Sequence, residues 1–273
     1  MTLTRADADY VRDLVRERSA IVLDGSKDYL IESRLAPVAR KNGLGSLEEL
    51  VFRLRRERSG PLHDLVVDAM TTNETTFFRD VGLWQALEDK ILPDLFSRRA
   101  AQKSATFWSA ACSSGQEPYS LAMMLVDRFP QIVRTWNIRI LATDLSSEML
   151  GRAAAGRYTQ LEVNRGMPAR SLVTHFRRTG AMWQVSDRLR EMVEFRAINL
   201  VRPWPFVPEV DVLFMRNVLI YFDLGTKREI LGRCRKSLRT GGHLILGTSE
   251  TTLNIDESFQ RTVHGPATTY RPK

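Results

Sequence analysis

The chain has 273 residues, 43% hydrophobic and 26% charged, which fits one large globular domain or a large one plus a small one with a proper core. No run of about eighteen apolar residues occurs, which argues against a membrane-spanning helix, and two cysteines, Cys112 and Cys234, without a CxxC exclude a disulfide framework. The formal charge of +8 favours an acidic partner without choosing among nucleic acid, anionic lipid and protein.

Residues 1–70 predict a small all-helical domain. "LTRADADYVRDLVRER" places Tyr10, Val11, Leu14 and Val15 on one face. "SKDYLIESRLAPVARKNG" carries Leu30, Ile31 and Leu35 and stops at Gly43, with Pro37 expected to kink or end the helix. "SLEELVFRLRRER" opens with Ser46 and Glu49 at capping-box spacing. "GPLHDLVVDAM" puts Pro61 in an allowed first-turn position. Residues 71–90 read as a linker, beginning with "TTNETTFFRD", in which hydroxyls, an amide, a carboxylate and an arginine surround Phe77 and Phe78.

After a further helical stretch, "DVGLWQALEDKILPDLF", short β-rich runs alternate with helical ones from about residue 105. "ATFWSAA", "IRILATD", "EVDVLFMRN" and "GGHLILGTSE" read as strands; "EPYSLAMMLVDRF", "SSEMLGRAAAG" and "LGTKREILGRCRKSL" read as helices. That alternation predicts an α/β domain with a doubly wound parallel sheet over 91–273, and the tail "SFQRTVHG…TTYRPK" predicts a closing hairpin. Residues 157–198 are too long for a simple crossover and predict an inserted β-subdomain with a turn at Gly180. Residues 151–200 hold nine arginines and four acids, 9 − 4 = +5, while residues 1–70 balance twelve basic against twelve acidic side chains. The N-terminus lacks an apolar signal segment, and with the cysteine usage this predicts a cytoplasmic protein.

Ligands of open α/β sheets sit beyond the carboxyl ends of the strands. Those ends carry "ACSSGQEPYS", whose small residues feed a helix N-terminus, then Asp144 in "LATDLS", suited to a ribose diol, then Asn199 in "INL", and Asn217 and Tyr221 in "MRNVLIYF". GxGxxG and the Walker motif are absent, so a phosphate-free nucleoside such as S-adenosylmethionine suits the loop better than a dinucleotide. His63, His175, His243 and His264 show no metal-ligand spacing.

Together "NETTFFRD", "WSAACSSGQEPYS", "LATDLS", "FRAINL" and "RNVLIYFD" resemble the CheR family of chemotaxis-receptor methyltransferases, over nearly the whole chain. The resemblance implies a class I methyltransferase sheet (Rossmann-like, doubly wound) with an N-terminal all-helical domain and an inserted β-subdomain. It implies transfer of a methyl group from S-adenosylmethionine to receptor glutamates, leaving S-adenosylhomocysteine. Cofactor contacts carry over to Asn73, Thr75, Arg79, Glu117, Asp144, Asn199, Leu200, Asn217 and Val218. Arg79 and Tyr221 match the catalytic residues beside the methyl group, and no metal is expected. The implied partner is the cytoplasmic helical bundle of a receptor, met by Arg34, Arg40, Lys41, Arg53 and Arg56 and by the basic insertion. The short turn in "RRTGAMWQV" predicts an enzyme that does without a C-terminal receptor tether. A monomer, with no nucleic acid bound and no membrane insertion, is expected. Two rival readings fit the sequence less well. A nucleic-acid methyltransferase lacks an aromatic-plus-basic stripe here, and a non-catalytic adaptor has no need of Arg79 and Tyr221.

Overall fold

A computed structural model describes residues 3–25, 28–57 and 59–273. It divides into two compact units, Met1–Thr72 with Tyr221–Thr226, and Asn73–Ile220 with Lys227–Lys273.

The first unit packs α1 (Arg5–Ser19), α2 (Asp28–Lys41), α3 (Leu47–Arg56) and α4 (Pro61–Met70). Their apolar stripes meet in one core that includes Val11, Val15, Ile31, Leu35, Leu50, Leu54 and Val66. The residues expected to open the second helix, Ser26 and Lys27, lie outside the described residues. Ser46 caps α3 by accepting from the Glu49 N–H at 3.2 Å, but the Glu49 carboxylate reaches back to the Gly45 N–H instead of Ser46. Pro37 lies inside α2 and does not end it. Burial of Ile31, Leu35 and Ala39 on both sides of the proline carries the helix past the missing N–H. Arg34 is committed to the chain itself, donating to the carbonyls of Met70 and Thr71 at 2.9 Å each.

The second unit holds ten strands: β1 (Ser104–Ala110), β2 (Asn137–Asp144), β3 (Arg157–Thr159), β4 (Phe176–Thr179), β5 (Met182–Val185), β6 (Val193–Ala197), β7 (Val210–Met215), β8 (Leu238–Leu246), β9 (Phe259–His264) and β10 (Ala267–Pro272). Seven of them form one sheet in the order β6-β2-β1-β7-β8-β10-β9. The strands from β6 to β8 are parallel, and β10 runs antiparallel to both β8 and β9, so the tail hairpin makes the sheet mixed. Every residue of β7 is buried, as near-continuous apolar strands covered on both faces should be. Strand order reverses between β1 and β7, which opens a crevice beyond their carboxyl ends.

The insertion forms a separate sheet, β3-β5-β4, whose β4–β5 turn consists of Gly180 and Ala181 alone. The chain then returns to the large sheet through β6. Tyr158 of β3 is 1% exposed and donates its hydroxyl to the Ser114 carbonyl at 2.7 Å, tying the insertion to the loop after β1.

At the hairpin side of the sheet, buried His243 contacts the Thr269 hydroxyl at 3.1 Å and the Arg271 guanidinium at 2.8 Å. Burial, then the charges of Arg271, His264 and Arg98, lower its pKa from 6.5 to about 3, with Asp94 opposing. The native state therefore keeps His243 neutral while the unfolded chain takes up a proton below pH 6.5. The stabilisation is complete above that value and is lost as pH falls toward 3. Denaturant titrations should show His243 contributing a slope of up to about 1.4 kcal/mol per pH unit across this window. The slope should shrink in His243→Asn; an unchanged slope would contradict the assignment.

Candidate functional site

The loop after β1 is shaped by backbone that few side chains tolerate. Ala111, Ser113 and Gly115 have φ of 64°, 49° and 93°. A Cβ on Gly115 would lie 2.9 Å from the Cβ of Ala153, so glycine is required by both conformation and space. Asp144, at the end of β2, accepts from the Ser113 N–H at 2.8 Å and the Ser146 N–H at 2.9 Å. It is 7% exposed. Burial raises its pKa above the ordinary carboxylate value, and the N–H groups of Ser146, Ser113 and Leu145 pull the other way. Three N–H donors leave the carboxylate acceptor capacity for a further donor.

Beyond β6, the Asn199 side-chain oxygen accepts from the Val201 N–H at 3.1 Å, and the Leu200 carbonyl accepts from Arg233 and Trp204. Beyond β7, Asn217 has φ 58°. The N–H groups of Asn217, Val218 and Leu219, with that of Gly247, all donate to the Glu250 carboxylate at 2.7–2.9 Å. A single carboxylate thus organises the loop that carries Asn217 and Val218.

The linker crosses these strand ends. Ser113 donates its hydroxyl to the Asn73 carbonyl at 2.9 Å, and Phe78 N–H donates to Ser120 Oγ at 2.9 Å. Phe77 is fully buried, edge-on to Tyr158 and Phe176 at 5.0 and 5.7 Å, while Phe78 meets Trp84 edge-on at 5.4 Å. Thr75, partly buried, follows Asn73 on the same segment. The loop at Gly166 lies against the linker so closely that a Cβ would fall 2.0 Å from the Phe77 carbonyl oxygen. Next to it, Arg165 pairs with Glu74 at 2.7 Å. Glu74 is therefore not the partner of the Arg79 charge. The Arg79 guanidinium reaches the Glu74 carbonyl at 3.4 Å, and the Arg79 carbonyl accepts from Trp84 Nε1 at 3.0 Å.

Glu117 accepts from the Ser109 hydroxyl at 2.7 Å and from Arg216 Nη1 at 2.7 Å. Arg216 also binds the Arg79 carbonyl at 3.1 Å and the Asp80 carboxylate. Its side chain is 3% exposed. Burial disfavours its charge, and Glu117 and Asp80 more than compensate, holding its pKa above the ordinary guanidinium value.

Asn73, Thr75, Arg79, Glu117, Asp144, Asn199, Leu200, Asn217 and Val218 all fall in the second unit. Tyr221 groups with the helical unit, where its carbonyl accepts from the Val22 N–H at 3.0 Å. Sequence reading missed Arg216, Glu250 and Arg165. Arg216 opens the quoted "RNVLIYFD", and its position at the end of a mostly apolar strand was the available signal. Cys112 is buried and its thiol is pushed well above the ordinary value by burial, which leaves it unreactive. Among the described residues no group of His, Cys, Asp and Glu could hold a metal ion, and no helix is long and apolar enough to cross a membrane.

The SAM-binding domain of the CheR methyltransferases matches residues 73–266, and the CheR all-alpha domain matches residues 6–71. The chain is 41% identical to chemotaxis protein methyltransferase 1 of Pseudomonas aeruginosa over 100% of both chains. It is 38% identical to the chemotaxis protein methyltransferase of Vibrio parahaemolyticus over 99% of each. The residues at the strand ends fit an adenosyl cofactor. Asp144 retains acceptor capacity for a diol, and the small residues Ala111–Gly115 admit close approach to the backbone.

Replacing Glu250 with Gln turns an amide donor toward N–H donors. Leaving buried N–H groups unmatched should cost about 1–3 kcal/mol, read as a lower urea midpoint and faster amide exchange at Asn217–Leu219. Wild-type exchange in Glu250→Gln would refute the organising role.

Proposed function

The chain belongs to the CheR family of S-adenosylmethionine-dependent methyltransferases, and on that premise we propose that it esterifies glutamate carboxylates on the cytoplasmic bundle of chemoreceptors. The observation that carries this reading is the state of Arg79. Its backbone is pinned by Trp84 and Arg216, while among the described residues its guanidinium holds only a carbonyl at 3.4 Å. An arginine fixed at its root with unspent donors suits bidentate capture of a carboxylate.

S-adenosylmethionine supplies, when bound, a methyl group on a positively charged sulfur. Asp144 would hold its ribose, and Glu117 would lie at its amino-acid end. Asn73 and Thr75 on the linker, the Asn199–Leu200 pair and the Asn217–Val218 pair would line the rest. A glutamate acceptor, with an unperturbed pKa of about 4.3, is ionised at neutral pH, so no residue need act as a base. Arg79 would orient that carboxylate, and Phe77 and Phe78 would keep the linker's inner side dry. Positioning of this kind can supply roughly 7–11 kcal/mol in favourable cases. The hold must stay loose, because binding the ground state too tightly slows transfer.

Arg40 and Lys41 are exposed on the helical unit, and Arg56 lies over exposed Phe52 at 5.7 Å. These remain candidates for meeting acidic receptor helices, whereas Arg34 is committed internally. Within the basic stretch 151–200, Arg152, Arg165, Arg190 and Arg196 are ion-paired. Arg170, Arg177, Arg178 and Arg188 are left for docking. The two-residue β4–β5 turn supports an enzyme that works without a receptor tether.

Incubation with methyl-labelled S-adenosylmethionine and a receptor cytoplasmic fragment should yield label that mild base releases as methanol, as carboxyl esters require. Base-stable label, or label on added RNA, would overturn the acceptor assignment. Arg79→Ala should lower kcat at least about 100-fold with S-adenosylhomocysteine affinity, measured by calorimetry, within threefold of wild type. Unchanged kcat would remove Arg79 from the reaction.

A further inference from the structure

Within the second unit the side chain most completely withdrawn from water among the site arginines is Arg216, and although it opens "RNVLIYFD", the cofactor contacts carried over from the family do not include it. It stands one residue past β7, at the point where strand order reverses. One guanidinium nitrogen holds Glu117 at 2.7 Å, and the other holds the Asp80 carboxylate and the Arg79 carbonyl. Its Nε has no hydrogen-bond partner among the described residues. So its donors are divided between two segments far apart in sequence: the helix that begins after β1, and the linker.

The linker end of this contact is strained. Phe78 and Asp80 have φ of 46° and 65°, a region that L-residues with side chains avoid. Such conformations persist where the surroundings over-determine them, and they cluster at functional sites. Asp80 lacks a side-chain cap bond to the helix that follows it, so its carboxylate serves Arg216 and not the helix start. The Arg79 carbonyl, flanked by these two residues, is fixed by Arg216 from one direction and Trp84 from another. The Arg79 side chain therefore departs from a backbone that Arg216 helps to hold, while the same guanidinium orients Glu117.

We infer that Arg216 is a positioning residue: it locks the linker that presents Arg79 to the loop that presents Glu117, so that acceptor and cofactor ends of the site keep one spacing. A planar fork can span two carboxylates in fixed geometry, which lysine cannot do. This rests on the reading of Arg79 as the acceptor-orienting group.

The test uses the full chain with Asp80→Asn, Arg216→Lys and Arg216→Met. Each is measured for urea midpoint, for S-adenosylhomocysteine affinity by calorimetry, for kcat and KM on a receptor fragment, and for amide exchange of residues 73–80 with that product bound. Asp80→Asn leaves the Glu117 arm in place. It should keep product affinity within threefold, lower kcat about 10- to 100-fold, and accelerate exchange of the linker at least tenfold. Arg216→Met should lose affinity and kcat together, and Arg216→Lys should recover part of the affinity but less of kcat.

Wild-type kcat and wild-type linker exchange in Asp80→Asn would overturn the inference. So would variants whose losses of kcat merely follow their losses of folded protein. If the wild-type chain itself forms no base-labile ester, the acceptor reading fails. Linker exchange and product affinity in the same variants then decide the positioning role separately.

Discussion

A guanidinium withdrawn to 3% exposure cannot persist without partners. Moving a charge out of water costs several kcal/mol even after relaxation, and only close opposite charge with matched hydrogen bonds offsets it. Arg216 meets that demand with Glu117 and Asp80, and the demand works in both directions. Once β7 places the arginine at the centre of the sheet, the carboxylates must come to it. The linker and the helix following β1 are thereby drawn to the same point. Removing either carboxylate leaves the charge partly uncompensated, which is more damaging than the net worth of the pair suggests.

The same logic recurs around the rim, with backbone amides as the partners. Glu250 gathers N–H groups from Asn217–Leu219 and Gly247. Asp144 gathers those of Ser113 and Ser146. Turns after parallel strands leave such groups without a ladder, and buried N–H groups need acceptors. Carboxylates at strand ends satisfy them and at the same time fix unusual backbone, with Ser113 and Asn217 both at positive φ. The rim is thus a set of carboxylates whose first task is to build loops. Asp144 differs in retaining acceptor capacity for a further donor.

Local pattern made much of the fold legible. Alternating apolar runs located β1, β2, β7 and β8, and the tail composition indicated the hairpin, because strand burial leaves a signature within a few residues. Pro37 left the end of α2 open, since whether the helix continues past it depends on packing that propensity does not contain. Strand β6 was hidden inside the insertion because only its pairing with β2 separates it from the small sheet. At the site, residues in contiguous motifs could be named from the chain alone. Arg216, although inside one of those motifs, could not be given its role, nor could Glu250 and Arg165, for a plain reason. Their roles depend on partners 99, 33 and 91 positions away respectively, and nothing in a short window records such a meeting.

The linker's form follows from these constraints. A helix would have satisfied its own backbone and carried Arg79 on a regular face, but it would have left no carbonyls for Arg216 and Trp84 to grip. An extended, irregular segment exposes them. Asn73 is held through its carbonyl by Ser113, Phe78 through its N–H by Ser120, and Arg79 through its carbonyl from two sides. The buried ring of Phe77 supplies the apolar anchor between those points. The backbone is consequently fixed by other elements at each end of "NETTFFRD", while the Arg79 side chain is spared from that work. Glu74, the nearest carboxylate along the motif, is drawn aside by Arg165. Were Glu74 released from Arg165, its carboxylate could turn to Arg79 and occupy donors that the Arg165 pair leaves open. The Arg165–Glu74 pair is exposed and adds little to stability by itself, so its consequence lies in what it keeps away from Arg79.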